Sequence, residues 1–396
     1  MQLVIVGVGY VGLVTGLSLA KLGHKISFID TDEDKINSLN NGISPFFEPQ
    51  LEEYLLNPVI QQNVNYFDSY TNINWNNVDV ILICVQTPTT EIGEVDTSFI
   101  SSVFSNIEDL IQNNSVICIK STIHPEALDK VFKNLSINFD DLVFNPEFLR
   151  EGTAFSDFFN TDRVIVGSLN NTNMKIVGNL YSDINSEIIY TDPISSQLIK
   201  YLSNAYLPLR LSFVNEASRI IDVMNANQKD VLNGIGLDSR IGLNYFRPSP
   251  GWGGSCFPKD VKEIQIIAQN QNLDLPLIQS IIDSNNNHIM WFSHKLVELL
   301  ESNKLQKIYL IGASFKENTD DVRHSPTFAI YERLIELGIN VEIYDKFVSS
   351  DLVINDIDLL KGDSLIVEMF PLDGSYSDFR VKVEELKGTI YFRFWT

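Results

Sequence analysis

The chain has 396 residues, of which 44% are hydrophobic and 20% charged, enough for two or three globular domains. Twenty-nine basic residues against 51 acidic ones give a net charge of −22. Such a field repels nucleic acid and anionic lipid, so neither is an expected partner, and an anionic ligand must be held by local donors.

The first element is the apolar strand "LVIV", followed by "GVGYVG", a helical pattern ending near Gly23, and a second strand, "KISFID". The uncharged run from Gln2 to Ala20 has the length of a membrane span, but Gly7, Gly9, Gly12 and Gly16 interrupt it and no basic residue precedes it. A strand, Gly7-x-Gly9-x-x-Gly12, a helix and then Asp30 make a dinucleotide fingerprint. Gly7 supplies the tight turn, Gly9 lets backbone approach a pyrophosphate, and Gly12 permits close helix–strand packing. The helix N-terminus faces the phosphates. Asp30 accepts from the ribose hydroxyls and repels a 2′-phosphate, so NAD is expected over NADP.

Next come "DVILICVQTP", "SVICIKST" and "DLVFNPEFLREG", apolar runs ending in polar residues. They read as buried parallel strands whose ends carry Thr87, Thr122 and the Glu147–Glu151 loop beside the glycine turn, where ligands bind in such sheets. Cys84 and Cys118 fall inside these strands and read as packing residues. Three cysteines without CxxC spacing imply no disulfide framework and no metal site, and fit a reducing cytoplasm.

A long helical pattern follows "TDPISS", with Ser195 or Ser196 as its cap and Lys200 and Asn204 on one face. Pro208 removes an N–H within it, and a kink is expected there. Helices through "SCFPKDVKEIQIIAQNQN" and "LPLIQSIIDSNNNHIMWFSHKLVELLE" complete an all-helical middle, in which His288 and His294 read as structural. Before the first of these lies "RPSPGWGGSCFPKD", which sets Cys256 in a glycine-rich loop next to Lys259 and Asp260. A thiol held there is a candidate nucleophile.

The chain then repeats its opening: "KIYLIGASFKENTDDVRHSPTFAIYERLIELGINVEIYD" is strand, glycine turn, helix, strand and Asp345, with a long loop carrying Lys316 and Arg323 in place of GxGxxG. A helix and a final strand close it. The fold class expected is α/β, with two doubly wound, Rossmann-like parallel-sheet domains joined by a central all-helical domain. The boundaries are 1–194, 195–302 and 303–396. Two nucleotide-type domains imply two nucleotide-like ligands.

In order along the chain, "GVGYVG", "VQTP", "KST", "PEFLREG", "KYLSNAYL", "SRIG", "GWGGSCFPKD" and "FKENTDDVRHSP" resemble the nucleotide-sugar 6-dehydrogenases, from residue 1 to about 345. The last fifty residues fit the pattern less closely, with Arg393 in "YFRFWT" where relatives carry an Arg-Asn or similar pair. The resemblance implies a four-electron oxidation of a primary alcohol to a carboxylate by two NAD in turn, through a thiohemiacetal and a thioester on Cys256. It implies that Lys200 and Asn204 stabilise oxyanion charge, that Asp260 takes the alcohol proton through a water, and that Glu147 and Thr122 orient the hydrolytic water.

It further implies that Val11, Lys35, Thr87, Thr122, Glu151, Lys259 and Arg323 join Gly7, Gly9, Gly12 and Asp30 around the cofactor. The sugar nucleotide falls to Phe148, Leu149, Arg150, the loop Tyr245, Phe246, Arg247, Pro248 and Ser249, together with Gly253 and Lys316. Glu147, Glu151, Lys200 and Asn204 are expected to touch it too. Arg240 is expected to reach a neighbouring subunit's site, implying a homodimer. "PEFLREG" resembles the glucose and mannose branches rather than those for N-acetylated sugars, and "TDRVIVG" leans toward UDP-glucose over GDP-mannose. A two-electron hydroxyacid-type dehydrogenase needs no such thiol and no second nucleotide-type domain. A catalytically dead sensor would lack one of the catalytic residues, all of which are present.

Overall fold

The computed structural model describes residues 1–395 apart from 89, 91–94, 112–114, 125–126, 128–130, 132–136 and 373. The chain forms two compact units, Met1–Leu202 and Ser203–Thr396. Among the described residues no helix is long and apolar enough to cross a membrane.

In the first unit, β1 (Gln2–Val6), β2 (Lys25–Ile29), β3 (Val64–Phe67), β4 (Val80–Ile83), β5 (Val116–Ile119), β6 (Val143–Phe144), β7 (Arg163–Gly167) and β8 (Glu187–Thr191) form one sheet. Its order is β3-β2-β1-β4-β5-β6-β7-β8. The apolar runs read as strands are the buried central ones, and β4 and β5 are buried at every position. Helices cover both faces, so such strands need no polar alternation. Cys118 sits in β5 and Cys84 follows β4, both buried. The order of β1, β4, β5 and β6 puts the C-terminal ends of four neighbouring parallel strands side by side. These ends carry the glycine turn, Thr87, Thr122 and Glu147. The sheet is not wholly parallel: β6 meets β7 antiparallel through Phe144 and Gly167.

The helix Pro193–Val223 is capped by Asp192 rather than by Ser195 or Ser196. The Asp192 carboxylate accepts from the Ser195 N–H at 2.9 Å and from its hydroxyl at 2.6 Å, and Pro193 occupies the first helical position that suits proline. The helix runs on through Pro208, where the kink is expected.

In the second unit, helices Phe257–Asn270 and Pro276–Ser302 precede β9 (Lys307–Ile311), β10 (Val341–Tyr344), β11 (Val353–Ile354), β12 (Ser364–Glu368) and β13 (Ile390–Arg393). These five strands are all parallel, in the order β11-β10-β9-β12-β13. Two Rossmann-like sheets and a central helical region thus make up the fold.

Candidate active site

The glycine turn after β1 has the geometry its sequence requires. Gly7 has φ +97°, the left-handed region that favours glycine. A Cβ on Gly12 would lie 2.0 Å from the Gly7 carbonyl oxygen, so the helix can press against the turn only without a side chain there. A Cβ on Gly9 would meet nothing within 4 Å, which leaves its outer side open to a ligand. The helix Tyr10–Lys21 starts at Gly9 with no side-chain cap and no acidic residue in its first turn. Its first N–H groups are therefore free to bind an anion.

Asp30, half-buried after β2, accepts from the Val8 N–H at 2.8 Å and the Asp32 N–H at 3.0 Å. These bonds aim the carboxylate and leave lone pairs for ribose hydroxyls. Lys35 pairs with Asp32 at 3.3 Å close by, and Val11 lies in the first turn of the glycine-loop helix. The donors and the acid fit NAD, which when bound supplies the hydride acceptor for an oxidation.

Along the same sheet edge, the Thr87 hydroxyl donates to the Thr122 carbonyl at 2.9 Å. The Ile123 N–H donates to Gln197 Oε1 at 3.2 Å, which ties the Thr122 loop to the helix bearing Lys200. Lys200 is 3% exposed and donates to the Glu147 carbonyl at 2.6 Å and to Glu147 Oε1 at 3.1 Å. Its ammonium also lies 5.2 Å from the Phe148 ring centre. The other Glu147 oxygen accepts from the Leu149 N–H at 2.6 Å. A buried carboxylate and ammonium thus orient each other, the arrangement that makes burial of either tolerable. Arg150 turns away to pair with Asp157 at 2.5 Å.

Sequence reasoning missed Glu48. It is 5% exposed, and its carboxylate accepts from the Gly152 N–H at 2.6 Å and the Ala154 N–H at 2.9 Å. That fixes the backbone immediately after Glu151. No motif flags it, because the partners stand more than a hundred residues apart.

In the second unit, Cys256 is the exposed N-cap residue of the helix Phe257–Asn270, whose end offers uncapped N–H groups. A helix N-terminus and a neighbouring ammonium are the two settings that favour a thiolate. Lys259 is within electrostatic reach of Cys256. Burial works to lower the Lys259 pKa, but Asp260 and Glu263 outweigh it and hold it above the ordinary lysine value. Lys259 Nζ stands 2.8 Å from Asp260 Oδ1, close enough for an ion pair but off the axis of a directed hydrogen bond. Asp260 is 1% exposed, and its Oδ2 accepts from Asn204 Nδ2 at 2.6 Å. Asp260 and Asn204 are thereby locked together, one helical turn after the thiol.

The glycines before Cys256 serve close packing. A Cβ on Gly253 would fall 1.9 Å from the His324 carbonyl oxygen, and the Gly254 N–H donates to the Arg323 carbonyl at 3.0 Å. The thiol loop and the loop after β9 are therefore held against each other. The Arg323 side chain, 63% exposed, pairs with Asp321 at 2.6 Å.

A pocket beside them is lined by Arg247, Pro248, Ser249 and Lys316 of the expected substrate residues, with Phe315, Phe370 and Trp395. His288 anchors Ser249 of this lining: Nε2 donates to the Ser249 carbonyl at 2.9 Å, and burial pushes the imidazole pKa down to about 4, which keeps it neutral. Tyr245, Phe246 and Gly253 are not among the residues that line this pocket, and the Phe246 side chain belongs to the core. Its ring is 7% exposed, packed with Val214, Ile221 and Leu232 beneath Arg210. Trp395 was missed because it belongs to the C-terminal stretch that carries no family motif. Arg240 pairs with Asp238 at 2.6 Å and is 87% exposed.

Known proteins match this chain over most of its length. Family models for the UDP-glucose/GDP-mannose dehydrogenases match residues 1–185 as the NAD binding domain, 194–287 as the central domain and 309–364 as the UDP binding domain. The UDP-glucose 6-dehydrogenase of Rickettsia conorii is 35% identical over 350 residues, covering 87% of this chain and 81% of that protein. The UDP-glucose 6-dehydrogenase YwqF of Bacillus subtilis is 36% identical over 355 residues, covering 88% and 80%. A UDP-glucose dehydrogenase structure from Pyrobaculum islandicum superimposes with TM-score 0.84 at 26% identity, over all of this chain and 94% of that one.

Fold, cofactor turn and relatives define an NAD-dependent dehydrogenase. The chain belongs to the UDP-glucose/GDP-mannose dehydrogenase family.

Proposed function

We propose that the chain oxidises the primary alcohol of UDP-glucose to the carboxylate of UDP-glucuronate in two NAD-dependent steps, with Cys256 carrying the sugar between them. The observation that carries this reading is the exposed thiol at a helix N-terminus, one turn from the Asn204–Asp260 pair. In it, Asp260 takes the alcohol proton through a water, with Asn204 bonded to one of its oxygens and the Lys259 ammonium ion-paired with the other. Cys256 Sγ adds to the aldehyde carbon, and the oxygen that gains charge is held by Lys200 and Asn204. Oxidation of that thiohemiacetal leaves a thioester. Water then attacks the thioester carbon, the C–S bond breaks, and the sulfur departs with the electron pair. Glu147, oriented by Lys200, accepts the water's proton, and Thr122 helps to seat the water.

The cofactor is assigned to the glycine turn, Asp30, Lys35, Thr87 and Thr122, with Glu151, Lys259 and Arg323 completing its site. The sugar nucleotide is assigned to the pocket of Arg247, Ser249 and Lys316, whose charges suit a diphosphate and whose aromatic walls suit a base.

A homodimer is part of the same reading. On the helix Pro193–Val223, Tyr206, Phe213 and Ile220 recur every seven residues and are 56%, 55% and 64% exposed. A lone chain would leave this stripe in water, and a second copy would cover it. Arg240, with its side chain in solvent, is then the residue assigned to the neighbouring site. A reducing compartment such as the cytoplasm suits an exposed catalytic thiol.

The substrate is tested by comparing UDP-glucose, GDP-mannose and UDP-N-acetylglucosamine at saturating NAD. UDP-glucose should lead by at least about tenfold in kcat/KM, about 1.4 kcal/mol of transition-state preference. Another sugar in the lead would overturn the substrate and leave the chemistry standing.

A further inference from the structure

Beneath the Thr122 and Glu147 loops lies a buried polar cluster that the reaction above does not use. Lys120 follows β5, two residues before Thr122, and is 4% exposed. Its Nζ donates to Asn145 Oδ1 at 3.1 Å, to the Asn145 carbonyl at 3.4 Å and to the Tyr181 hydroxyl at 3.3 Å. Asn145 follows β6, two residues before Glu147, and is 1% exposed. The Tyr181 hydroxyl donates to Asn145 Oδ1 at 2.5 Å, and Asn145 Nδ2 donates to the Ile165 carbonyl in β7 at 2.7 Å. One ammonium therefore ties the end of β5 to the end of β6, and β7 and the phenol close the network.

Such a group is a poor device for stability. All three acceptors are uncharged, and taking an ammonium out of water costs several kcal/mol, so an apolar side chain of similar volume would often serve stability as well or better. What an apolar side chain cannot do is fix the spacing of two strand ends by directed bonds. The residues after those ends are held by further bonds: Gln197 Oε1 accepts from the Ile123 N–H, and Lys200 Nζ donates to the Glu147 carbonyl and carboxylate.

We propose that Lys120 is a positioning residue for thioester hydrolysis: it sets the separation of Thr122 and Glu147, and with it the seat of the attacking water. The inference rests on the assignment of those two residues to the hydrolytic step. In that step the water oxygen bonds to the acyl carbon, the C–S bond to Cys256 breaks, the electron pair stays on sulfur, and a proton passes to Glu147. Nothing is oxidised or reduced.

The test is rapid mixing with NAD and UDP-glucose, an acid quench, and intact-protein mass spectrometry, with NADH followed in parallel. Lys120→Met should give a burst of two NADH per site, then a steady rate lower by at least about tenfold, with the acyl-enzyme mass dominant and kcat/KM for UDP-glucose within about twofold, so that KM falls together with kcat. Tyr181→Phe, which keeps the Lys120–Asn145 contact and only trims the network, should show the same adduct at lower occupancy, and it decides the matter if Lys120→Met does not fold. Glu147→Gln is the reference and should accumulate the adduct. If it does and both network variants turn over without an adduct, the role of Lys120 is overturned and the hydrolytic assignment stands. If Glu147→Gln itself accumulates none, that assignment falls and the role of Lys120 falls with it.

Discussion

The two sheets use one plan for different ends. β1, Gly7, a helix, β2 and Asp30 correspond to β9, Gly312, a helix, β10 and Asp345. Gly7 and Gly312 have φ +97° and +105°, and their N–H groups bond the carbonyls of Ile29 and Tyr344 at 2.8 and 2.9 Å. Then the halves part. In the first, Gly12 brings the helix onto the turn, and the helix begins uncapped at Gly9. In the second, residues 313–325 intervene, the Thr327 hydroxyl donates to the Gly312 carbonyl at 2.7 Å, and Ser325 caps the helix whose first residue is Pro326. Asp30 is half-buried with lone pairs to spare, whereas Asp345 is 1% exposed and bonds the N–H groups of Ala313, Phe347 and Val348. A dinucleotide site is a Rossmann turn that leaves its donors and its acid unspent. The second half satisfies both internally, and the proposed ligand contacts lie instead at Lys316 and the segment around Arg247 and Ser249.

Three substitutions sharpen that contrast. Cys256→Ser has the largest expected effect, because a hydroxyl cannot carry the thioester. Acid formation should fall by at least about a thousandfold, roughly 4 kcal/mol at the barrier. NAD affinity, read by fluorescence titration, should stay as it was, since the turn that holds NAD belongs to the other half. Near-normal production of the acid would end the covalent account.

Asp345→Ser comes next. It withdraws a buried carboxylate from three backbone N–H groups and should cost about 1–3 kcal/mol in denaturant unfolding, with no specific change in KM for NAD. Asp30→Ser should do the opposite. Its KM for NAD should rise by about tenfold, about 1.4 kcal/mol, and its preference over NADP should narrow, with stability little altered. If the two variants gave the same signature, the proposed division between a structural and a ligand-binding acid would be wrong.

What the sequence revealed was whatever lay close together along it. The glycine turn and Asp30 are one local unit, and Cys256 stands directly before a helix in a glycine loop. The polar ends of the central strands could be read because each strand is an unbroken apolar run. What could not be read was assembled from afar. Glu48 reaches its N–H partners across more than a hundred residues, Trp395 joins a pocket whose other walls lie near 248, 316 and 370, and Phe246 looks like a loop residue until Arg210 and Val214 cover it. The two-residue strand β6 is too short to announce its antiparallel neighbour. Asp192 competed with two serines for the cap, and Pro193 in the next position was the cue in its favour.

The proposal that one thiol carries one sugar through two oxidations is tested most directly by a count. With excess NAD and limiting UDP-glucose, the enzyme should form two NADH per sugar consumed, release UDP-glucuronate and leave no free aldehyde. One NADH per sugar, with an aldehyde accumulating in solution, would contradict it.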